Sequence, residues 1–175
     1  MSSYTLKTER LGLRPWNAND LDDFTLLNAN PEVMKFFPST LNKKETGQLL
    51  ERMQKHYKRY GFTYFAAELL TTKAFVGMIG MAHQEFESPY TPCVDIGWRL
   101  HPDFWGKGLA TEGAQVCLTA AKNKWGLEKV FAFAPEINTG SIKVMEKLGM
   151  HFLDTFVHSK LTTYPAIAKC VAYST

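Results

Sequence analysis

The spacing of hydrophobic and polar residues predicts a strand and two helices in the first third of the chain. The segment "RLGLRPW" alternates leucine with other residues, as a half-buried strand does, and Pro15 closes it. The segment "NDLDDFTLLN" has helical spacing, with Asn19 as its expected cap. A second helix follows "NKKE" (Asn42 to Glu45), which has the spacing of a capping box, and Gly61 ends it.

The remaining two thirds alternate between strand and helix patterns. Three consecutive strands are expected to form an antiparallel meander, and two helices and three strands follow them. Asn138 and Gly149 flank the last helix. The predicted fold class is α/β, a mixed sheet within a single domain over residues 1–175, and the crossover between residues 94 and 134 predicts a parallel strand pair. The seven predicted strands lie in "RLGLRPW", "FTYFAAEL", "AFVGMIGMAHQ", "CVDIGWRL", "KVFAFAP", "HFLDTFVH" and "AKCVAYS".

Composition narrows the class of protein without identifying it. The chain has 175 residues, of which 45% are hydrophobic and 21% are charged, as in a soluble globular domain. Its three cysteines form no CxxC pair, so we expect a reducing cytoplasm and neither a disulfide framework nor a zinc site. We expect no membrane segment, and the net charge of +3 is too weak and scattered to indicate nucleic acid.

One basic cluster lies near the end of the second predicted helix, at Lys55, Lys58 and Arg59. Cations at that position suit the negative end of the helix dipole. We therefore interpret the cluster as a solvated face rather than as a binding patch.

The stretch "DFWGKGLATEG" places Gly106 and Gly108 around Lys107, directly before a helix. It is not a Walker A loop, because His101 stands where that motif needs its first glycine and Gly108 where it needs Ser or Thr. It is not a dinucleotide fingerprint, which needs glycine at Thr111. Two interpretations remain: a phosphate-binding helix N-terminus, or a tight turn with no ligand.

The segments "VDIGWRLHPDFWGKGLATEGA" and "NTGSIKVMEKLGM" together resemble the GNAT family of acetyl-CoA-dependent N-acetyltransferases. The closer likeness is to the branch of ribosomal-protein N-terminal acetyltransferases (RimJ/RimL-like), where Trp105 in the first loop position is usual. The resemblance covers nearly the whole chain. It implies about seven mostly antiparallel strands, about four helices, and a central parallel pair that splays apart.

The resemblance also implies a donor site for acetyl-CoA in that splayed gap. The pantetheine arm would pair with strand backbone, its pyrophosphate would lie on the N–H groups of residues 105 to 111, and no metal is expected. The residues expected to bind the cofactor are Trp98, Arg99, Leu100, Trp105, Gly106, Lys107, Gly108, Leu109, Ala110, Thr111 and Asn138.

The acid that the family commonly uses is absent, because its tyrosine position is Met145 here. We take Ser141 as the substitute that hydrogen-bonds the departing thiolate, and a backbone N–H near Arg99 or Leu100 as the oxyanion donor. Asn138 would orient the pantetheine or a water molecule. Asn138 and Ser141 also suit simple helix capping.

Three carboxylates are candidate general bases. Glu68 leads and Glu85 follows, and Asp95 opens the strand after them. Each is alternatively an ordinary surface carboxylate. An acceptor of low pKa, such as an N-terminal α-amine near 8, needs no base.

The function predicted from these residues is direct acetyl transfer to a primary amine, in a cytoplasmic monomer or homodimer. The acceptor is either a protein N-terminus or a small-molecule amine, and neither nucleic acid nor membrane is an expected partner. The alternative is a non-catalytic module that binds or senses acyl-CoA, since Met145 replaces the usual acid.

Overall fold

A computed structural model describes residues 4–175, which form one eight-stranded mixed sheet with six α-helices. The strands are β1 (Leu6–Lys7), β2 (Leu11–Arg14), β3 (Tyr64–Leu69), β4 (Phe75–Gln84), β5 (Cys93–Leu100), β6 (Phe131–Pro135), β7 (His151–Val157) and β8 (Lys169–Ser174). The helices are α1 (Leu21–Ala29), α2 (Pro31–Met34), α3 (Lys43–Tyr60), α4 (Leu109–Trp125), α5 (Thr139–Lys147) and α6 (Pro165–Ala168). No helix among these residues is long and apolar enough to cross a membrane.

The sheet order is β1-β2-β3-β4-β5-β6-β8-β7, and every neighbouring pair is antiparallel except β5 and β6. This confirms both the predicted meander, which is β3–β4–β5, and the predicted parallel pair. β5 and β6 pair only at Asp95 and Phe131. Beyond that point β6 continues its pairing with β8 alone, so a gap opens along the second half of β5.

The sheet separates two hydrophobic cores, because alternate side chains of a strand point to opposite faces. Phe65 and Ala67 of β3 belong to a core that includes buried residues of α4 and α5. Ala66, between them, belongs to a second core with residues of α1, α2 and α3. We call these two sides of the sheet the α4 face and the α1 face.

Helix α3 begins and ends with the predicted signals. Asn42 Oδ1 accepts the Glu45 N–H at 2.9 Å, and the Glu45 carboxylate accepts the Asn42 N–H at 2.8 Å. Gly61 takes φ +76° and donates its N–H to the Tyr57 carbonyl at 2.8 Å. The left-handed conformation explains why glycine stands there.

The structure has one more strand and two more helices than predicted, because β1, α2 and α6 span two to four residues and are too short to show a period. The cap before α1 also differs from the prediction. Asn17 is the cap, and its side chain accepts the Asn19 N–H at 2.9 Å. A short 3₁₀ turn, Ala18–Asp20, separates this cap from α1.

A buried ion-pair network ties β2, β3 and the turn before α1 together. Arg14 donates two hydrogen bonds of 2.8 Å to the Asp20 carboxylate, and its Nε donates to Glu68 Oε2 at 2.9 Å. All three side chains are largely buried. The hydrogen bond to Asp20 is the main cause that raises the pKa of Arg14 above its usual range, so this guanidinium stays charged.

We expect Arg14→Leu to lower the free energy of unfolding by about 3–5 kcal/mol, because it leaves two buried carboxylates without a counter-charge. Urea unfolding measures this loss. The matched control is Lys43→Leu, which breaks an ion pair to Asp22 whose side chains are 63% and 81% exposed. The control should change stability by less than about 1 kcal/mol, and equal losses in the two variants would contradict the assignment.

Candidate active site

The gap beside β5 exposes backbone groups of alternate residues. The His101 N–H bonds to the Val76 carbonyl at 2.9 Å, so odd-numbered residues at this end of β5 turn their backbone groups toward β4. Because successive residues of a strand point to opposite edges, Trp98 and Leu100 turn theirs toward the gap. Arg99 faces β4. Of the two predicted oxyanion donors, the Leu100 N–H therefore points into the gap and that of Arg99 does not.

Trp105 fastens the glycine loop to the end of β5. Its indole Nε1–H donates to the Leu100 carbonyl at 2.8 Å, while the ring remains 44% exposed. This bond engages the carbonyl of Leu100 but not its N–H group. It also fixes the start of the loop against the end of β5. Trp105 in the first loop position therefore has a structural role, which is to attach the loop to β5.

The glycine loop leads directly into α4. Gly106 and Gly108 have φ of +71° and +76°, which side chains with a Cβ seldom adopt. The helix has no side-chain cap, and its first internal hydrogen bond runs from the Glu112 N–H to the Gly108 carbonyl at 3.0 Å. The N–H groups of residues 109–111, ahead of that bond, and the helix dipole suit a phosphate group.

The side chain of Lys107 in this loop is exposed. Its Nζ lies 5.7 Å from the centre of the Phe104 ring. The lysine therefore adds positive charge at the loop surface.

An ionic contact from the first hairpin supports the loop, and sequence reasoning missed it. Arg10 Nη1 donates to the Lys107 carbonyl at 3.0 Å, and Arg10 Nη2 lies 2.6 Å from Glu112 Oε2. Burial raises the pKa of Glu112, but hydrogen bonds from Thr8 and Arg10 outweigh it and lower that pKa overall. Arg10 and Glu112 are 102 positions apart, so no local pattern signals this contact.

Asn138 caps α5, as predicted, with its Oδ1 accepting the Ser141 N–H at 3.1 Å. Met145, at the position of the family's tyrosine, is only 1% exposed and belongs to the core of the α4 face. Ser141 lies one helical turn before Met145 and hence on the same side of α5. Its side chain is half-buried.

The structure separates the three candidate bases. Glu68 lies on β3, with β4 between it and β5, and it is held by Arg14 and the Tyr4 hydroxyl. Glu85 is exposed just past the end of β4. Asp95 lies on β5 at its one pair with β6, where the gap begins. Only Asp95 is on a strand that borders the gap.

The carboxylate of Asp95 is held by neighbours on β3 and β4. The Tyr64 hydroxyl donates to it, and Gln84 Nε2 contacts both Asp95 Oδ1 at 3.1 Å and the Tyr64 oxygen at 2.9 Å. Burial raises the pKa of Asp95 to about 6, against the opposing effect of these hydrogen bonds. The Tyr64 pKa is raised well above its usual range by burial, so the phenol stays protonated.

Glycine makes room for the tyrosine that reaches Asp95. A Cβ built on Gly97 would lie 3.2 Å from Tyr64 Cε1, so the ring lies directly over this residue of β5. The sequence gives no sign of this packing, because Tyr64 and Asp95 are 31 positions apart.

The side chain of Arg99 points to the α1 face. Its Nη1 donates to Asn28 Oδ1 at 2.6 Å, and the guanidinium lies 4.3 Å from the centre of the Phe37 ring. Burial lowers the pKa of Arg99 to about 10. Of the neighbouring residues Met34, Phe36 and Phe37, only Met34 is buried, and Phe37, whose ring lies against the Arg99 guanidinium, is 42% exposed.

Comparison with known proteins agrees with this geometry. The family model "Acetyltransferase (GNAT) domain" matches residues 10–151. The uncharacterized protein YkkB of Bacillus subtilis is 32% identical over 151 residues, which cover 86% of this chain and 87% of YkkB. The FsC-acetyl coenzyme A-N(2)-transacetylase of Aspergillus fumigatus is 30% identical, over 93% of this chain and 72% of that protein.

A solved structure extends the comparison to the fold. RimL, the ribosomal L7/L12 alpha-N-protein acetyltransferase in complex with coenzyme A, superposes with a TM-score of 0.77 at 14% identity. The match covers 96% of this chain and 94% of RimL, so the two proteins share a fold. With the family model spanning most of its length, the chain belongs to the GNAT family and is an N-acetyltransferase.

Proposed function

We propose that this enzyme transfers the acetyl group of acetyl-CoA directly to a primary amine at the start of the β5–β6 gap, with Asp95 as general base. One observation carries the proposal: the pairing of β5 with β6 stops at Asp95, beside a row of free backbone groups. The acceptor is either a protein N-terminus or a small-molecule amine.

The donor lies along the second half of β5. Its pyrophosphate rests on the N–H groups of residues 106–111, since the Trp105 N–H already donates to the Pro102 carbonyl at 3.0 Å. Its amide-rich arm pairs with the backbone of Trp98 and Leu100. The six residues from Asp95 to Leu100 span roughly 17 Å of strand. An extended arm bound at the loop therefore carries its thioester toward Asp95.

The chemistry then needs one proton acceptor, one oxyanion donor and one partner for the thiolate. The amine nitrogen bonds to the thioester carbon, Asp95 takes the proton of that nitrogen, and the gap-facing backbone N–H of β5 nearest to the thioester stabilises the tetrahedral oxyanion. The carbon–sulfur bond breaks, and Ser141 hydrogen-bonds the departing thiolate, which leaves as coenzyme A after protonation. The products are an acetamide and free coenzyme A.

Asp95 is preferred to the other two carboxylates for physical reasons. Glu68 neutralises a buried arginine, and taking up a proton would break that ion pair. Glu85 is exposed and follows the end of β4, away from the gap. Asp95, with a pKa of about 6, is ionised at neutral pH and still binds a proton well enough to act as a base.

We expect Asp95→Asn to lower kcat/KM by about 100-fold or more while acetyl-CoA binding is unchanged, because the amide keeps the shape but accepts no proton. Free-thiol release from acetyl-CoA across a panel of amines measures this. Below pH 6, kcat/KM of the native chain, calculated on the neutral fraction of the amine, should fall about tenfold per pH unit as Asp95 protonates.

The matched controls for this experiment are Glu85→Gln and Glu68→Gln, with rates corrected for the folded fraction. A larger loss in either control than in Asp95→Asn would transfer the role of base to that residue. Binding of acetyl-CoA without thiol release from any amine would contradict the proposed transfer and favour a module that only binds acyl-CoA.

The pKa of Asp95 also predicts how stability depends on pH. In the folded chain this pKa is about 6, above the ordinary 3.8, so ionisation between those values costs the native state stability. The free energy of unfolding of Asp95→Asn, relative to that of the native chain, should therefore increase between about pH 4 and about pH 7 by on the order of 2–3 kcal/mol. Urea unfolding of both chains at the two pH values measures it, and a difference independent of pH would contradict it.

The phosphate role of the loop is tested by Gly108→Val, with Gly126→Val as its control. Both glycines have positive φ, and nothing lies within 4 Å of a Cβ at Gly126, the C-cap of α4. Each variant should lose about 1–2 kcal/mol of stability from backbone strain. Only Gly108→Val should weaken acetyl-CoA binding, by at least about tenfold, as calorimetry can measure; equal affinities in the two variants would rule out the loop as the phosphate site.

A further inference from the structure

A cationic cleft of about 510 Å³ lies between α3 and the end of β4, outside the donor site. We call it the α3 cleft. Within residues 4–175, none of its four cationic residues pairs with a carboxylate, and Glu85 is its one acidic residue. Its lining residues are Arg52, Lys55, His56, Arg59, Tyr60, His83, Gln84, Glu85, Phe86 and Lys160.

Three of the four cations come from one side of α3. Arg52, Lys55 and Arg59 are three and four residues apart, so their side chains are neighbours on the helix. Lys160 completes the set from the turn after β7. Lys58, which the sequence grouped with Lys55 and Arg59, is exposed and does not line the cleft. Lys55, Lys58 and Arg59 are all exposed, as a solvated face requires, and Lys55 and Arg59 also line the cleft.

The floor of the cleft is an uncharged histidine pair. His56 Nδ1 lies 2.8 Å from the Phe62 carbonyl and so carries the proton, while His56 Nε2 accepts the backbone N–H of His83 at 3.1 Å. Burial lowers the pKa of both histidines. The positive charge of the cleft thus comes from its arginines and lysines, and Glu85 is the one acidic residue among the lining that opposes it.

Gln84 connects the cleft to the reaction centre. It lines the cleft, and its amide contacts both Asp95 and Tyr64. Gln84 pairs with Cys93, at the end of β5 opposite the glycine loop. The eight residues of β5, Cys93–Leu100, span roughly 23 Å, so the cleft is a second anion-attracting region, beyond Asp95 from the donor phosphates.

We propose that the α3 cleft binds an anionic group, a carboxylate or a phosphate, of a small amine acceptor and thereby places the amine at Asp95. This inference rests on the proposed function. The volume falls within the range of small-molecule pockets, about 300–1,000 Å³. The four cations attract such a group and repel polyamines, which carry only positive charge.

The test compares acceptors that differ only in the anionic group: phosphoethanolamine with ethanolamine, and β-alanine with its carboxamide. Thiol release should give a kcat/KM at least about tenfold higher for the anionic member of each pair, and added salt should reduce this preference. In the double variant Lys55→Gln/Arg59→Gln the preference should disappear, with the KM for acetyl-CoA unchanged. The control Lys58→Gln, on the same helix, should keep the preference.

Binding is measured separately by titrating phosphoethanolamine into the protein saturated with coenzyme A, which occupies the donor phosphate site. The native chain and Lys58→Gln should bind it, and the double variant should bind it at least about tenfold more weakly. Equal binding by the double variant and Lys58→Gln, or equal use of the neutral amines, would overturn the inference. A stronger preference for an acidic peptide than for small anionic amines would overturn the assignment to a small acceptor.

These outcomes separate the inference from the proposed function. If phosphoethanolamine binds in the α3 cleft but no amine releases thiol, the proposed acetyl transfer fails and the anion site stands. If neutral amines are acetylated as fast as anionic ones and the double variant behaves like Lys58→Gln, the acetyl transfer stands and the anion site fails.

Discussion

The rest of the structure depends on one interrupted strand pairing. Backbone N–H and C=O groups in a protein must find partners or water, yet β5 lies in the middle of the sheet and pairs with β6 only at Asp95. Its remaining groups on that edge are available to an extended ligand rich in amides. The opening is held at both ends, by the Asp95–Phe131 pair at its base and by the Trp105 indole at its mouth.

Charge is arranged around this opening in three separate places. The uncapped start of α4, with Lys107 and Arg10 nearby, provides positive potential where phosphates would lie. Asp95 supplies a carboxylate whose charge is disfavoured by burial and sustained by Tyr64 and other hydrogen-bond donors. The α3 cleft adds cations on the other side. A net charge of only +3 conceals this pattern, because the net charge does not show where the charged residues lie.

The sequence predicted the elements well where a period is long enough to read. The capping box of Asn42 and the glycine loop before α4 both depend on neighbours a few positions away, and both are present. The site was less predictable, since its chemistry depends on contacts between distant residues. The sequence around Glu68 does not indicate an ion pair, because its partner Arg14 lies 54 positions earlier. The pKa of Asp95, the base that we propose, is raised to about 6 only by the burial that the fold creates.

The indole contact of Trp105 has a consequence for how deeply a cosubstrate arm can be inserted. At the last residue of β5 the carbonyl oxygen is already engaged, so an incoming amide finds an N–H there but competes with the indole for the oxygen. Two residues further in, at Trp98, both groups lie on the open edge. Two alignments of the arm against β5 that differ by two residues therefore differ in energy. The indole contact at the mouth of the gap thus favours one depth of insertion over the other.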